Sequence, residues 1–352
     1  MDFLNLSNTV FVFRTIRDGG FRGTLNLCNA AYTLTTEPAH IDSQPFRLYV
    51  EPTTRCNLEC RMCYQVTLQR PKLDLSFNDF LRILHHFPYL QDLQLQGIGE
   101  PLLNPDIFRM IAYAKSKRIR VGFFTNATLI NPEVSEKILK SGLDWINLSL
   151  DGASPDIYEK IRKGADFEEV IKNIITLMET KKKRKAPKIS LWFTAMKMNI
   201  AELPAIIGLA KRLEIEKVVA QGIHFWGNDF CRDYLKKDSL LNDVDLTEKT
   251  FIQAVKEAKK LKIKLNFRPR YFEKRTRRIC RWPWVSCFIT VEGYVTPCCV
   301  QGSDPLMINF GNIFEKDFKD IWNSLPYQDF RRQLKSKYLP EICQDCPGYY
   351  YK

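Results

Sequence analysis

The sequence predicts an α/β protein: a parallel barrel of six strand–helix units followed by a small cysteine-rich α+β unit. Three observations carry this. Apolar strand-like runs alternate with helical periodicity from Phe46 onward, the unusual polar motifs fall at the ends of those runs, and six of the eleven cysteines crowd into the last quarter of the chain.

The candidate strands are 46–50 (FRLYV), 90–96 (LQDLQLQ), 119–125 (IRVGFFT), 145–150 (WINLSL), 189–196 (ISLWFTAM) and 218–223 (VVAQGI), and the amphipathic stretches between them are long enough for right-handed crossovers. Ser76 with Asp79 reads as a capping box before FLRILHHF, and Asn104-Pro105-Asp106 reads as the cap and early proline of the next helix. A helical segment at 250–263 leads to the strand-like LNFR and then to a basic stretch, 268–278. The boundary is expected near residue 275, which gives an N-terminal extension at 1–45, a core at 46–274 and a tail at 275–352. In the tail, FITVEGYVT reads as a hairpin about Glu292-Gly293 that sets Cys287 about opposite Cys298.

At 352 residues and 45% hydrophobic, the chain can bury one large core and a smaller second one. MDFLNLSNTVFVFR has no basic lead and only a short apolar run, which argues against a signal peptide or a membrane span and for a cytoplasmic protein. Eleven cysteines without an export signal argue for metal binding or thiol chemistry rather than a disulfide framework. The net charge of +13 lies partly in runs such as Lys181 to Lys185, which read as solvated loop, and no nucleic-acid-binding signature accompanies it.

RCNLECRMCYQ, residues 55–65, sets Cys56, Cys60 and Cys63 at CxxxCxxC spacing directly after the first strand. A closed zinc site wants a fourth ligand nearby, whereas an iron–sulfur cube bound through three irons keeps one iron open. GIGEP (97–101) follows the second strand, TNAT (125–128) the third, and SLDG (149–152) ends the fourth. All lie at strand C-termini, the rim on which parallel barrels assemble their sites. Singly, Glu100 reads as a loop acid, Asp151 as a turn former and Asn126 as a residue tolerating positive φ.

CNLECRMCY, GIGEP, TNAT, SLDG, GYVTPCC and CQDC together resemble a radical S-adenosylmethionine enzyme with a SPASM or twitch type C-terminal extension, over about residues 46–352. The resemblance implies a partial (β/α)6 barrel in which Cys56, Cys60 and Cys63 hold a 4Fe-4S cluster. Its open iron takes the amino and carboxylate groups of S-adenosylmethionine, and reductive cleavage yields a 5'-deoxyadenosyl radical that abstracts hydrogen from the substrate. Gly97, Gly99 and Glu100 match the loop that receives the methionine ammonium, with Ile98 as a variant. Ser149 and Arg162 match the carboxylate side, Asn126 the ribose side, and Met62 with the backbone of Tyr64 the adenine border.

For the tail, the resemblance implies one auxiliary 4Fe-4S cluster on Cys280, Cys298, Cys343 and Cys346, with Cys287 and Cys299 outside the set. A structural zinc ribbon using Cys287 or Cys280 is the competing reading of that spacing. Four cysteine ligands leave no open iron, so the cluster's roles are electron transfer or structural support, which points to a net oxidation of a peptide or a natural product. The alternatives are a sugar-alcohol dehydrogenase, a redox-neutral epimerase with Cys231 as the hydrogen donor, and a non-catalytic electron carrier. The expected partners are S-adenosylmethionine, a small-molecule or peptide substrate, and an electron donor such as flavodoxin or ferredoxin. Nucleic acid and membrane are not expected, and the 45 residues at the start are too few for a separate leader-peptide domain.

Overall fold

The computed structural model describes residues 9–66, 68, 70–182, 184–225, 229–267, 280–344 and 346. Nine strands form one sheet: β1 (Arg47–Val50), β2 (Asp92–Leu95), β3 (Arg120–Thr125), β4 (Trp145–Ser149), β5 (Lys188–Ala195), β6 (Lys217–Gly222), β7 (Lys264–Phe267), β8 (Ser286–Ile289) and β9 (Val295–Thr296). Their order is β7-β6-β5-β4-β3-β2-β1-β8-β9, parallel throughout except for the terminal β8–β9 hairpin. The six expected strands are present, the LNFR run supplies a seventh, and the tail's hairpin continues the same sheet from β1.

The helices are α1 (Thr9–Thr36), α2 (Phe77–His85), α3 (Ile107–Ser116), α4 (Pro132–Lys140), α5 (Pro155–Ile161), α6 (Phe167–Lys181), α7 (Leu203–Arg212), α8 (Asp229–Lys237), α9 (Val244–Leu261), α10 (Trp282–Val285), α11 (Phe318–Trp322) and α12 (Leu325–Lys335). Alternation along the strands splits the sheet into two faces. Leu48, Val50, Leu93, Leu95, Val121, Phe123, Ile146, Leu148, Leu191 and Phe193 pack into the core beneath the helices. Tyr49, Gln94, Phe124, Asn147, Ser149 and Trp192 therefore line the opposite, concave face. There Trp145 and Trp192 meet Phe124 edge-on, and a Cβ at Gly122 would lie 2.2 Å from the Trp145 ring.

Ser76 caps α2 as expected, accepting from the Asp79 backbone at 3.0 Å. The next helix differs. It begins at Ile107 after Asp106, which makes no side-chain cap, but Asn104 still accepts from Asp106 N at 2.8 Å through Oδ1, while its Nδ2 donates to the carbonyls of Pro52 and Leu75 and ties the turn to the segment after β1.

The hairpin register pairs Phe288 with Thr296, so Cys287 lies across from position 297 rather than Cys298, on the helix-facing side of the sheet. The N-terminal extension clasps the tail: Trp284 Nε1 donates to Pro38 O at 2.7 Å, Trp322 Nε1 to Ser43 O at 3.1 Å, and buried Arg331 to Ala39 O at 2.9 Å. The expected boundary near residue 275 falls outside the described residues. Among the described residues, no helix is long and apolar enough to cross a membrane.

Candidate active site at the strand C-termini

The loop from β1 to α2 carries the cysteine triad over the rim of the concave face. Leu58, Met62, Ile161, Met196, Ile223 and Leu235 form an apolar cup around it. Burial pushes all three thiols up, Cys60 to about 12; Cys60 also feels Cys63 and Cys56, Cys63 feels Cys56, and Cys56 feels Glu100. Backbone N–H groups of Leu58 and Asn57 point at Cys56, and that of Gln65 at Cys63. Three soft donors in a dry cup, with backbone dipoles aimed at the sulfurs, fit an iron–sulfur cluster. Among the described residues, no group of three His, Cys, Asp or Glu side chains converges as ligands of a single ion.

GIGEP crosses this loop at close range. A Cβ on Gly99 would sit 2.3 Å from Thr53 O and 2.6 Å from Arg55 O, and one on Gly97 would sit 2.4 Å from the Glu51 side chain. Glycine is needed here for the approach of two segments, not for positive φ. Glu100 N donates to Arg55 O at 2.8 Å, locking the crossing. The Glu100 carboxylate is buried and accepts from Leu102 N, Thr125 Oγ1 and Asn126 N at 3.2, 2.8 and 2.8 Å. Burial lifts its pKa, and the bonds from Asn126 and Thr125 oppose the rise.

Asn126 donates to Asn57 Oδ1 at 3.0 Å and approaches Cys56 Sγ at 4.0 Å, so its amide faces the cysteine loop. The left-handed residue of that turn is Ala127, with φ 64°, not Asn126. Ser149 ends β4 on the concave face, and among the described residues no side chain or backbone group bonds its hydroxyl. Arg162, just after α5, is buried at 7% exposure. It donates from Nε and Nη2 to Asp151 Oδ2 at 2.8 and 2.6 Å, and from Nη1 to Cys60 Sγ at 3.8 Å. Burial disfavours its charge, but Asp151 and Cys60 outweigh burial and its pKa rises.

Met62 packs inside the cup, and the Tyr64 hydroxyl reaches Asp304 Oδ2 in the tail at 3.1 Å. Cys231 lies in α8, and its side chain is outside the described residues.

Sequence reasoning missed three acidic partners. Asp151 is no simple turn former: it is fully buried, holds Arg162, and accepts from Thr194 N at 2.6 Å. Glu51, at the end of β1, pairs with Arg70 at 2.7 Å, and Arg70 pairs with Glu292 of the tail hairpin at 2.5 Å. Burial raises Glu51 against the pull of Arg70, whereas at Glu292 the pull of Arg70 wins over burial and lowers the pKa. Glu51 also accepts from Ile98 N and Val291 N, so one carboxylate joins GIGEP, the triad loop and the tail. The signal was a lone acid closing the apolar run RLYVE.

In the tail, Cys280 is pushed up by burial and then by Cys346 and Cys298. Cys343 is pushed up by burial and then by Cys346, Cys298 and Cys280. Cys280 and Cys298 pack against Tyr49, Trp282 and Phe288, as does Cys299, and Cys346 N donates to Cys343 O at 3.2 Å, so the four thiols share one neighbourhood with Cys299 beside them. Cys287 feels none of them; burial raises it and only Arg331 opposes. Cys299 accepts from the Gln96 amide at 3.1 Å and feels Cys298, and Tyr49, on the concave face, stacks on Trp282, against which Cys280, Cys298 and Cys299 pack.

Residues 50–196 match the radical SAM superfamily and residues 280–347 the iron–sulfur cluster-binding SPASM domain. The chain belongs to the radical SAM superfamily and is an enzyme of its SPASM type. It is 28% identical over 319 residues to the tungsten-containing aldehyde ferredoxin oxidoreductase cofactor-modifying protein of Pyrococcus furiosus, covering 85% of this chain and 86% of that one. With the PqqA peptide cyclase of Granulibacter bethesdensis it shares 24% identity over 310 residues, 86% of this chain and 79% of that one. Streptococcus suis SuiB, solved bound to the precursor peptide SuiA, superposes with a TM-score of 0.70 at 18% identity, covering 94% of this chain and 75% of that one.

Proposed function

We propose that the chain carries out an oxidative maturation step on a peptide or natural-product precursor. Cys56, Cys60 and Cys63 would hold a 4Fe-4S cluster with an open iron for S-adenosylmethionine, and Cys280, Cys298, Cys343 and Cys346 a second, closed one. Bound there, the first cluster with its cofactor supplies the 5'-deoxyadenosyl radical. The single observation behind this reading is the separation of the cysteines: three in a cup at the barrel rim, four together in the tail, and Cys287 in neither. Held by Cys280, Cys298, Cys343 and Cys346, a closed cluster would supply one-electron redox chemistry, which a net oxidation of the substrate requires.

The chain's own residues bind, orient and exclude water. The close crossing at Gly97 and Gly99 brings Glu100 to the triad loop, where its remaining acceptor capacity suits an ammonium. Ser149 offers its hydroxyl to a carboxylate, and Arg162 the N–H groups that Asp151 and Cys60 leave unused. Asn126 suits the ribose side, and Met62 with the Tyr64 backbone the adenine side. Leu58, Ile161, Met196 and Ile223 keep the cup dry. Residues 46–274 would form the catalytic core and 275–352 the auxiliary unit, with 1–45 as their clasp. The electron would come from a low-potential protein such as flavodoxin or ferredoxin.

A peptide or cofactor precursor as substrate is supported by the relatives, one named for a peptide cyclase and one for cofactor modification. The test is anaerobic reconstitution with S-adenosylmethionine, a reductant and precursors encoded beside the gene. The expected result is one 5'-deoxyadenosine per product and a product two hydrogens lighter. Deuterium from deuterated water in a product of unchanged composition, lost in Cys231→Ala, would instead establish epimerisation.

A further inference from the structure

The three triad sulfurs have unlike neighbours. Cys56 faces the backbone N–H groups of Leu58 and Asn57, and Cys63 faces that of Gln65. Cys60, the most enclosed of the three at 7% exposure, has instead the Arg162 guanidinium, with Nη1 at 3.8 Å from its sulfur. Arg162 is clamped by Asp151 through two bonds, and Asp151 is itself fixed to Thr194 N, with Asn199 Nδ2 donating to its carbonyl at 2.9 Å. The pair is thus a rigid dipole between β4 and the triad. Both partners act on Cys60, the guanidinium more strongly than the carboxylate.

We propose that the Asp151–Arg162 pair sets the reduction potential of the cluster held by the triad, with Arg162 as a positioning residue that favours the reduced state. The inference rests on the cluster reading of Cys56, Cys60 and Cys63. Three thiolates give such a cluster a net negative charge, and one electron from an external reductant adds another. A cation and an N–H donor at one sulfur favour that addition, and an uncompensated carboxylate opposes it. Within an apolar cup the interaction is weakly screened.

The two partners therefore predict opposite signs. Arg162→Gln removes the cation and leaves Asp151, so the potential falls. Asp151→Asn leaves the cation unopposed, so the potential rises. A merely structural role, in which either change loosens the cup and admits water, moves both in one direction. A role confined to the methionine carboxylate moves neither while S-adenosylmethionine is absent.

The experiment is a potentiometric titration of the full-length reconstituted protein without S-adenosylmethionine, followed by electron paramagnetic resonance. The Cys56/Cys60/Cys63→Ala variant identifies the tail's signal as an internal reference. Arg162→Gln is expected to lower the equilibrium constant for reduction at least about tenfold, about 59 mV for a one-electron couple, and Asp151→Asn to raise it. If Arg162→Gln fails to retain iron, Arg162→Met, which keeps the cup apolar, takes its place with the same expected sign. Shifts in the same direction, or two unshifted potentials, overturn the proposal. A wild-type protein with no triad-dependent signal overturns the cluster reading instead.

Discussion

The two cysteine sets achieve burial by opposite routes. The triad is local: eight residues of one loop present three thiols, and its surroundings are imported from β3, α5, β5 and β6 as the Asn126 amide, Arg162, Met196 and Ile223. The tail set is dispersed: Cys280, Cys298 and the Cys343/Cys346 pair come from three segments that the fold of the tail brings together. Three thiols on a four-iron cluster would leave one iron open, whereas four would close it. A dispersed set gains order by closing, which suits a group that exchanges electrons without touching substrate.

This contrast is most sharply broken by deleting one set at a time. Replacing Cys56, Cys60 and Cys63 by alanine should remove ~four irons per chain and abolish cleavage of S-adenosylmethionine. Iron analysis and 5'-deoxyadenosine assay of the anaerobic protein check this. Replacing Cys280, Cys298, Cys343 and Cys346 should halve the iron yet spare cleavage, while Cys287→Ala should leave iron unchanged. One zinc with only ~four irons in the wild type would identify the tail as a ribbon.

The junction between the sets comes next. Arg70→Met leaves Glu51 as an unpaired buried carboxylate beneath GIGEP and should cost about 3–5 kcal/mol, read from denaturant unfolding. Glu292→Gln, which leaves the Arg70–Glu51 pair intact, should cost less. Gly99→Ala drives a Cβ into two carbonyls and should weaken S-adenosylmethionine binding, measured by calorimetry. Gly208→Ala in α7, where a Cβ meets nothing within 4 Å, should instead stabilise by up to about 1 kcal/mol.

Much of this was legible in the sequence. The alternation of apolar runs carried six strands because a buried parallel strand cannot hide its composition, and the motifs fell on the rim because strand ends are where polar groups can escape the core. Partnership was not legible. Asp151 looks like a turn former until Arg162, eleven residues on, folds back against it. Glu51 and Glu292 meet on Arg70 only through the pairing of β1 with β8, which no local pattern encodes. Counting across the turn sets Cys287 opposite Cys298, but the register is one position off, so the two thiols fall on opposite faces of the hairpin.

The central claim is that the triad, not the tail set, presents the open iron. Electron paramagnetic resonance of the reduced protein before and after adding S-adenosylmethionine tests it most directly, in the wild type and in the two multiple-cysteine variants. The account predicts a changed spectrum in the wild type and in the tail variant, and no change in the triad variant. A spectrum that responds to S-adenosylmethionine in the triad variant would contradict it.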